Sequence, residues 1–227
     1  MIGDTIRMTF AGNKKVIRYE AAAQEISGTI YFHRSDVPAP AVLLLPTSMG
    51  LTPHEHVMAA RLAREGFTTL ALGYARRTTG AVVKDEQMRR HLEQVVLLGW
   101  RKLLNDPRAN GTRAGVIGFS LGGYFATYIA TADPDFLPKA GVIYYGVYAA
   151  AEGRRVSLRT PLLVLQGESD AAEFVNNAKA LKERHSKLCE VIFYPETGHQ
   201  FDLFQSNTAA TKDAWKQTVR FLNEHLK

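Results

Sequence analysis

The sequence predicts a single α/β domain over residues 1–227, with a mainly parallel central sheet and helices on both faces. Three observations carry that expectation. From Ala41 to Lys227, short apolar runs alternate with helical-period stretches, the pattern of strand–helix–strand units. Ala41-Val42-Leu43-Leu44-Leu45 is continuously apolar, and Pro161-Leu162-Leu163-Val164-Leu165-Gln166 is nearly so, as strands buried on both faces require. The chain also has 227 residues, 46% hydrophobic and 22% charged, the balance of one domain with a substantial core. No linker, repeat or low-complexity tract divides it.

Three short strand-like runs come first, Ile6 to Phe10, Val16 to Ala21 and Ile26 to Phe32. No helix separates them, so an antiparallel edge over about residues 5–32 is expected. The run Ala41 to Leu45 ends at Pro46. A helix follows with a full set of start signals: Thr52 as N-cap, Pro53 first, Glu55 closing a capping box, and Gly66 as the stop. Then come a strand at Phe67 to Leu72 and a helix at about Asp85 to Leu104, with Met88, Leu92, Val95, Val96 and Leu103 at helical spacing. Ala114 to Phe119 reads as a strand leading to a helix at Tyr124 to Thr131, and Gly141 to Tyr145 as another strand. After the strand Pro161 to Gln166, a helix spans about Ala172 to His185 and a strand Cys189 to Tyr194. The last helix covers about Thr208 to Leu226, with Trp215, Val219 and Leu222 on one face.

The chemistry concentrates just past strand ends, where open α/β sheets form their sites. Gly118-Phe119-Ser120-Leu121-Gly122-Gly123 places G-x-S-x-G between a strand and a helix, the setting of a nucleophile elbow. A serine hydroxyl needs an adjacent base, and the base needs an orienting group. Gly167-Glu168-Ser169-Asp170 follows the next-but-one strand, and Gly198-His199 follows the one after, giving the order Ser, acid, His. Ser120, Asp170 and His199 are therefore the candidate catalytic triad. Glu168, Glu173 and Asp202 compete with Asp170 for the orienting role, and Asp170 can also be read as a helix N-cap. Gly198 before His199 and Phe201 after it suggest a tightly placed ring.

An ester carbonyl develops an oxyanion on attack, which needs aimed donors. The Leu121 N–H is one candidate. The loop Pro46-Thr47-Ser48-Met49-Gly50 should supply the other, with Ser48 favoured and Met49 second. Only Gly146 to Thr160 separates two neighbouring strands, too short for a lid domain. An open pocket for small acyl substrates is expected, bordered by Thr47, Met49, Tyr74, Tyr124, Tyr145, Phe201 and residues 76–83.

Other readings are weaker. His54 and His56, two apart on a helix, point to different sides and have no evident third ligand, so no metal is expected. The net charge of +6 is scattered, which suits a solvated surface rather than a nucleic-acid interface. No apolar run is long enough to span a bilayer, the N-terminus shows no signal-peptide pattern, and the single Cys189 forms no intrachain disulfide; a cytoplasmic protein is the expectation. The periodicity and motif placement together give an α/β-hydrolase architecture.

The chain resembles the dienelactone hydrolase family of the α/β-hydrolases. The likeness rests on Gly118-Phe119-Ser120-Leu121-Gly122-Gly123, Tyr144-Tyr145-Gly146, Gly167-Glu168-Ser169-Asp170 and Gly198-His199-Gln200-Phe201, with weaker support from Leu72-Gly73-Tyr74-Ala75-Arg76 and the Gly50 loop. It covers roughly Gly28 to Leu226. It implies a cofactor-free hydrolase of small esters or lactones. Members that open dienelactones carry cysteine at the position of Ser120, an acidic residue in the oxyanion loop where Thr47 stands, and an arginine in the stretch occupied by Asp202-Leu203. The resemblance therefore points to a serine carboxylesterase, with lactone hydrolysis as the alternative and a non-catalytic binding module as a rival of another class.

Overall fold

The computed structural model describes residues 13–21, 24–74, 84–132, 137–146, 148, 158–204 and 208–227. The expected strand at Ile6 to Phe10 and the pocket-bordering loop 76–83 lie outside the described residues. The fold is α/β, with eight strands among the described residues, and the chain divides into two compact units at Ala114 and Gly115, inside the fifth of those strands.

In the first unit, β1 (Lys14–Ala21) and β2 (Gln24–Tyr31) form an antiparallel pair in which Ile17 faces Gly28. β3 (Ala39–Leu45) and β4 (Thr68–Gly73) run parallel, and β2 joins β4 antiparallel, so the order is β1-β2-β4-β3. β3 is buried along its whole length, as its continuous apolar run predicts. The first helix, α1 (Pro53–Arg64), starts as read from the sequence. The Thr52 hydroxyl oxygen accepts the His54 N–H at 3.2 Å, and the Glu55 carboxylate accepts the Thr52 N–H at 2.7 Å. Gly66 sits at φ 96°, a left-handed turn that the helix end requires. Helix α2 (Glu86–Leu104) is capped by Asp85, which accepts the Met88 N–H at 3.0 Å. Leu92, Val95, Val96 and Leu103 form its buried face. Met88 does not join them; it is 43% exposed in the first turn.

The second unit is fully parallel: β5 (Ala109–Phe119), β6 (Ala140–Tyr144), β7 (Leu162–Gly167) and β8 (Cys189–Tyr194), in that order. Every residue of β6 and β7 is buried. Helices α3 (Leu121–Ala132) and α6 (Ala209–Leu226) both pack on β6, and α4 (Ala172–Arg184) packs on β7 and β8. A short α5 (Phe201–Phe204) lies between.

Two elements differ from the sequence reading. Helix α3 starts at Leu121, three residues earlier than its apolar period suggests, because Gly122 and Gly123 carry no apolar signal yet form its first turn. Helix α6 buries Leu222 as read, but together with Ala214, Thr218, Phe221 and Leu226, while Trp215 and Val219 are only half-buried. A polar contact sets that rotation: Tyr144 Oη and Thr218 Oγ1 are 2.7 Å apart, and Tyr144 donates to the Ala214 carbonyl at 3.3 Å. Among the described residues, no helix is long and apolar enough to cross a membrane.

Candidate active site

Ser120 sits at the turn between β5 and α3 with φ 50°, a conformation an L-residue adopts only when its surroundings enforce it. Two backbone bonds do so: the Ser120 N–H donates to the Tyr144 carbonyl at 3.0 Å, and the Gly123 N–H donates to the Ser120 carbonyl at 2.8 Å. Gly118 makes the turn possible. A Cβ there would lie 2.2 Å from the Gly122 carbonyl oxygen and 2.7 Å from the Gly123 nitrogen, both backbone atoms that cannot yield.

His199 and Asp170 reach Ser120 from the ends of β8 and β7. The His199 Nε2 lies 3.0 Å from Ser120 Oγ, and its Nδ1 lies 2.7 Å from Asp170 Oδ2. An ionised carboxylate only accepts, so the proton sits on Nδ1 and leaves Nε2 free to accept from the serine hydroxyl. The two loops are locked together at Gly167, where a Cβ would lie 2.2 Å from the Thr197 carbonyl oxygen. The Ser169 N–H donates to that same carbonyl at 2.9 Å, and the Glu168 N–H donates to the Tyr194 carbonyl at 2.9 Å. Gly198, read from the sequence as the sign of a tight fit, has open space around it. The tight approach is made at Gly167 instead, and the His199 loop is shaped by Glu196 and Gln200, at φ 53° and 57°. Such left-handed non-glycine residues cost roughly 1–3 kcal/mol each.

Aromatic rings hold the imidazole from two directions. Phe174, in the first turn of α4, stacks on it at 4.9 Å and 23°. Tyr145, at φ 38°, meets it edge-on at 4.9 Å. The imidazole side chain remains 29% exposed, while that of Asp170 is 3% exposed. Burial pushes the Asp170 carboxyl up, but hydrogen bonds from His199, Gln166 and the Ala171 backbone, with the charge of His199, outweigh it and hold the group below the ordinary aspartate value.

The rival acids are elsewhere. Glu168 and Glu173 are exposed. Asp202 is buried and accepts the Tyr145 hydroxyl at 2.5 Å. Asp170 is not the N-cap of α4; that position is Ala171, which has no side-chain cap. Phe174 and Gln166 are site residues that the sequence reading missed. The visible signal for Gln166 was a lone polar residue in an otherwise apolar strand.

Leu121 opens α3 and is buried, so its N–H lies at the positive end of that helix. In the first unit, the loop after β3 is fastened by Thr47. Its hydroxyl oxygen accepts the Met49 N–H at 3.2 Å, and its carbonyl accepts the Gly50 N–H at 3.0 Å. Of the residues expected to border a pocket, Met49 is 42% exposed, whereas Thr47, Tyr74, Tyr124, Tyr145 and Phe201 are buried. The Tyr74 hydroxyl donates to the Pro46 carbonyl at 2.8 Å. Tyr145 and Phe201 pack against each other at 5.5 Å.

His56 is hydrogen-bonded through Nδ1 with the Tyr31 hydroxyl at 3.0 Å. Among the described residues, no group of three His, Cys, Asp or Glu side chains could hold a metal ion. Cys189 is buried in β8, and that burial pushes its thiol up to about 12. The thiolate is the reactive form. Iodoacetamide at neutral pH is therefore expected to leave both Cys189 and the turnover rate unchanged, read by intact mass and initial rate; parallel alkylation and inactivation would contradict this.

Known proteins share this arrangement of the chain. A carboxymethylenebutenolidase of Rhodococcus opacus is 27% identical over 207 residues, covering 82% of this chain and 81% of its own. Among solved structures, a dienelactone hydrolase-like promiscuous phosphotriesterase from metagenomic libraries superposes with a TM-score of 0.77 at 22% identity, covering 95% of this chain and 100% of its own. A thermostable carboxylesterase cloned from a metagenomic library also gives 0.77, at 13% identity and over 100% of this chain and 92% of its own. These likenesses establish the α/β-hydrolase fold. The family model for dienelactone hydrolases matches residues 26–226, which include every residue of the Ser120, Asp170 and His199 constellation, and the chain belongs to the dienelactone hydrolase family.

Proposed function

We propose that this protein is a serine hydrolase that cleaves small carboxylic esters through an acyl-enzyme. The observation that carries the reading is the unbroken hydrogen-bonded line from Ser120 Oγ through His199 to Asp170, at 3.0 and 2.7 Å. His199 Nε2 takes the serine proton as Oγ attacks the ester carbonyl, then returns it to the departing alkoxide. Asp170 holds the imidazole in the tautomer this requires and stabilises the imidazolium between the two steps. Water repeats the cycle on the acyl-enzyme, with Ser120 as leaving group. The Leu121 N–H is assigned to the developing oxyanion, supported by its place at the start of α3.

Short acyl groups are the assigned substrates. The short connection between β6 and β7 leaves no room for a lid domain, and the partly exposed imidazole suits substrates arriving from water. The second reading, lactone hydrolysis, is favoured by the name of the Rhodococcus opacus relative, a carboxymethylenebutenolidase. The same steps apply to a lactone, except that the leaving hydroxyl stays attached to the acyl group. A panel of p-nitrophenyl esters of graded acyl length, run beside simple lactones, tests both. The expected result is the highest kcat/KM on acetyl to butyryl esters, with no activation at a lipid–water interface. A preference for long-chain emulsions would overturn the assignment. Lactones turned over far faster than any ester would establish the second reading.

A further inference from the structure

Gln166 is the single polar side chain in β7, and it is fully buried. A buried amide is unfavourable unless its hydrogen bonds are met, and leucine or methionine would fill similar volume without that cost. Gln166 Nε2 donates to Asp170 Oδ2 at 2.9 Å and to the Gly167 carbonyl at 3.2 Å. Both partners only accept, so the amide nitrogen must face them and the group cannot be reversed. Its Oε1 is buried without a hydrogen-bond partner among the described residues, so the amide serves as a donor alone. The Asp170 carboxylate thus receives His199 Nδ1 and Gln166 Nε2 on one oxygen and the Ala171 N–H, at 2.7 Å, on the other.

We infer that Gln166 is a positioning residue for the catalytic acid, fixing the plane of the Asp170 carboxylate against His199 and drawing off part of its charge. The inference rests on the triad reading above. A carboxylate with fewer donors is a stronger partner for the imidazolium. The other titratable groups around the pair stay as they are. Ser120 meets Nε2, and Tyr145 lies against the ring with its hydroxyl on Asp202. Tyr148 and Cys189 are held neutral mainly by burial. Glu168 and Glu173 are exposed.

The test is Gln166→Met, with Gln166→Leu as a second donor-free variant, assayed on p-nitrophenyl acetate with sites counted by fluorophosphonate titration. Per titrated site, kcat is expected to fall about 10- to 100-fold with little change in KM, the size of loss known for the outer hydrogen-bond partners of metal ligands. The acid limb of kcat/KM is expected to move up by about one pH unit, equivalent to a tenfold change in proton affinity. In the wild-type chain, the Gln166 side-chain amide resonances should titrate with the midpoint of that limb, a readout that needs no variant to fold. Wild-type kcat per site with an unmoved limb, or amide resonances that ignore the limb, would overturn the inference. The two levels fail separately: if the wild-type serine takes no fluorophosphonate, the triad reading falls, whereas labelling with an unmoved limb removes only the role of Gln166.

Discussion

Ser120→Ala is expected to lower kcat for p-nitrophenyl acetate by about 10⁶-fold, the loss seen when a triad nucleophile is removed. Without Oγ there is no atom to form the acyl-enzyme, and His199 has no proton to move. The fold should be untouched. The strained backbone at φ 50° is held by the Ser120 N–H on the Tyr144 carbonyl and the Gly123 N–H on the Ser120 carbonyl, and both survive the change. Alanine meets the same φ with the same Cβ, so circular dichroism and the melting temperature should match the wild type. Residual turnover above about one part in a thousand of wild type, from a folded variant free of contaminating esterase, would mean that another group is the nucleophile.

Asp170→Asn should cost about 10⁴-fold in kcat. Both carboxylate oxygens already accept N–H donors: Oδ1 takes the Ala171 N–H, and Oδ2 takes those of His199 and Gln166. An amide nitrogen cannot accept at either place. Turned toward Ala171, it sets two donors against each other. Turned toward His199, it forces the proton from Nδ1 to Nε2, where the ring can no longer act as base. Glu168→Gln is the control, because Glu168 is exposed. It should change kcat by less than about threefold, in keeping with a surface substitution. Equal losses in the two variants would move the acid away from Asp170.

Local signals were legible where one residue type has one physical use. Thr52, Pro53 and Glu55 announced the start of α1, and the structure forms those capping bonds. Apolar runs marked β3, β6 and β7 because strands covered on both faces leave few polar positions, Gln166 being the one in β7. The post-strand placement of Ser120, Asp170 and His199 was also visible, since order along the chain fixes which strand end carries each group. Rotation and close approach were not legible. The Trp215 face of α6 was a fair reading of hydrophobicity, but the Tyr144 hydroxyl on Thr218 turns the helix. Gly198 and Gly167 look alike in sequence, and only the position of the Thr197 carbonyl shows that Gly167 is the one with no room for a side chain. Phe174 and Gln166 touch the His199–Asp170 pair through contacts made across separate elements or within a tight turn, which periodicity does not encode.

The most direct test of the central claim is mass spectrometry after one equivalent of a fluorophosphonate. A serine activated by the His199–Asp170 pair should take a single phosphonyl group, mapped to the peptide bearing Ser120, with ester turnover lost in step with labelling. Ser120→Ala should take none, and His199→Ala should label far more slowly. An unlabelled wild-type chain that still hydrolyses esters, or an adduct mapped to any other residue, would contradict the account.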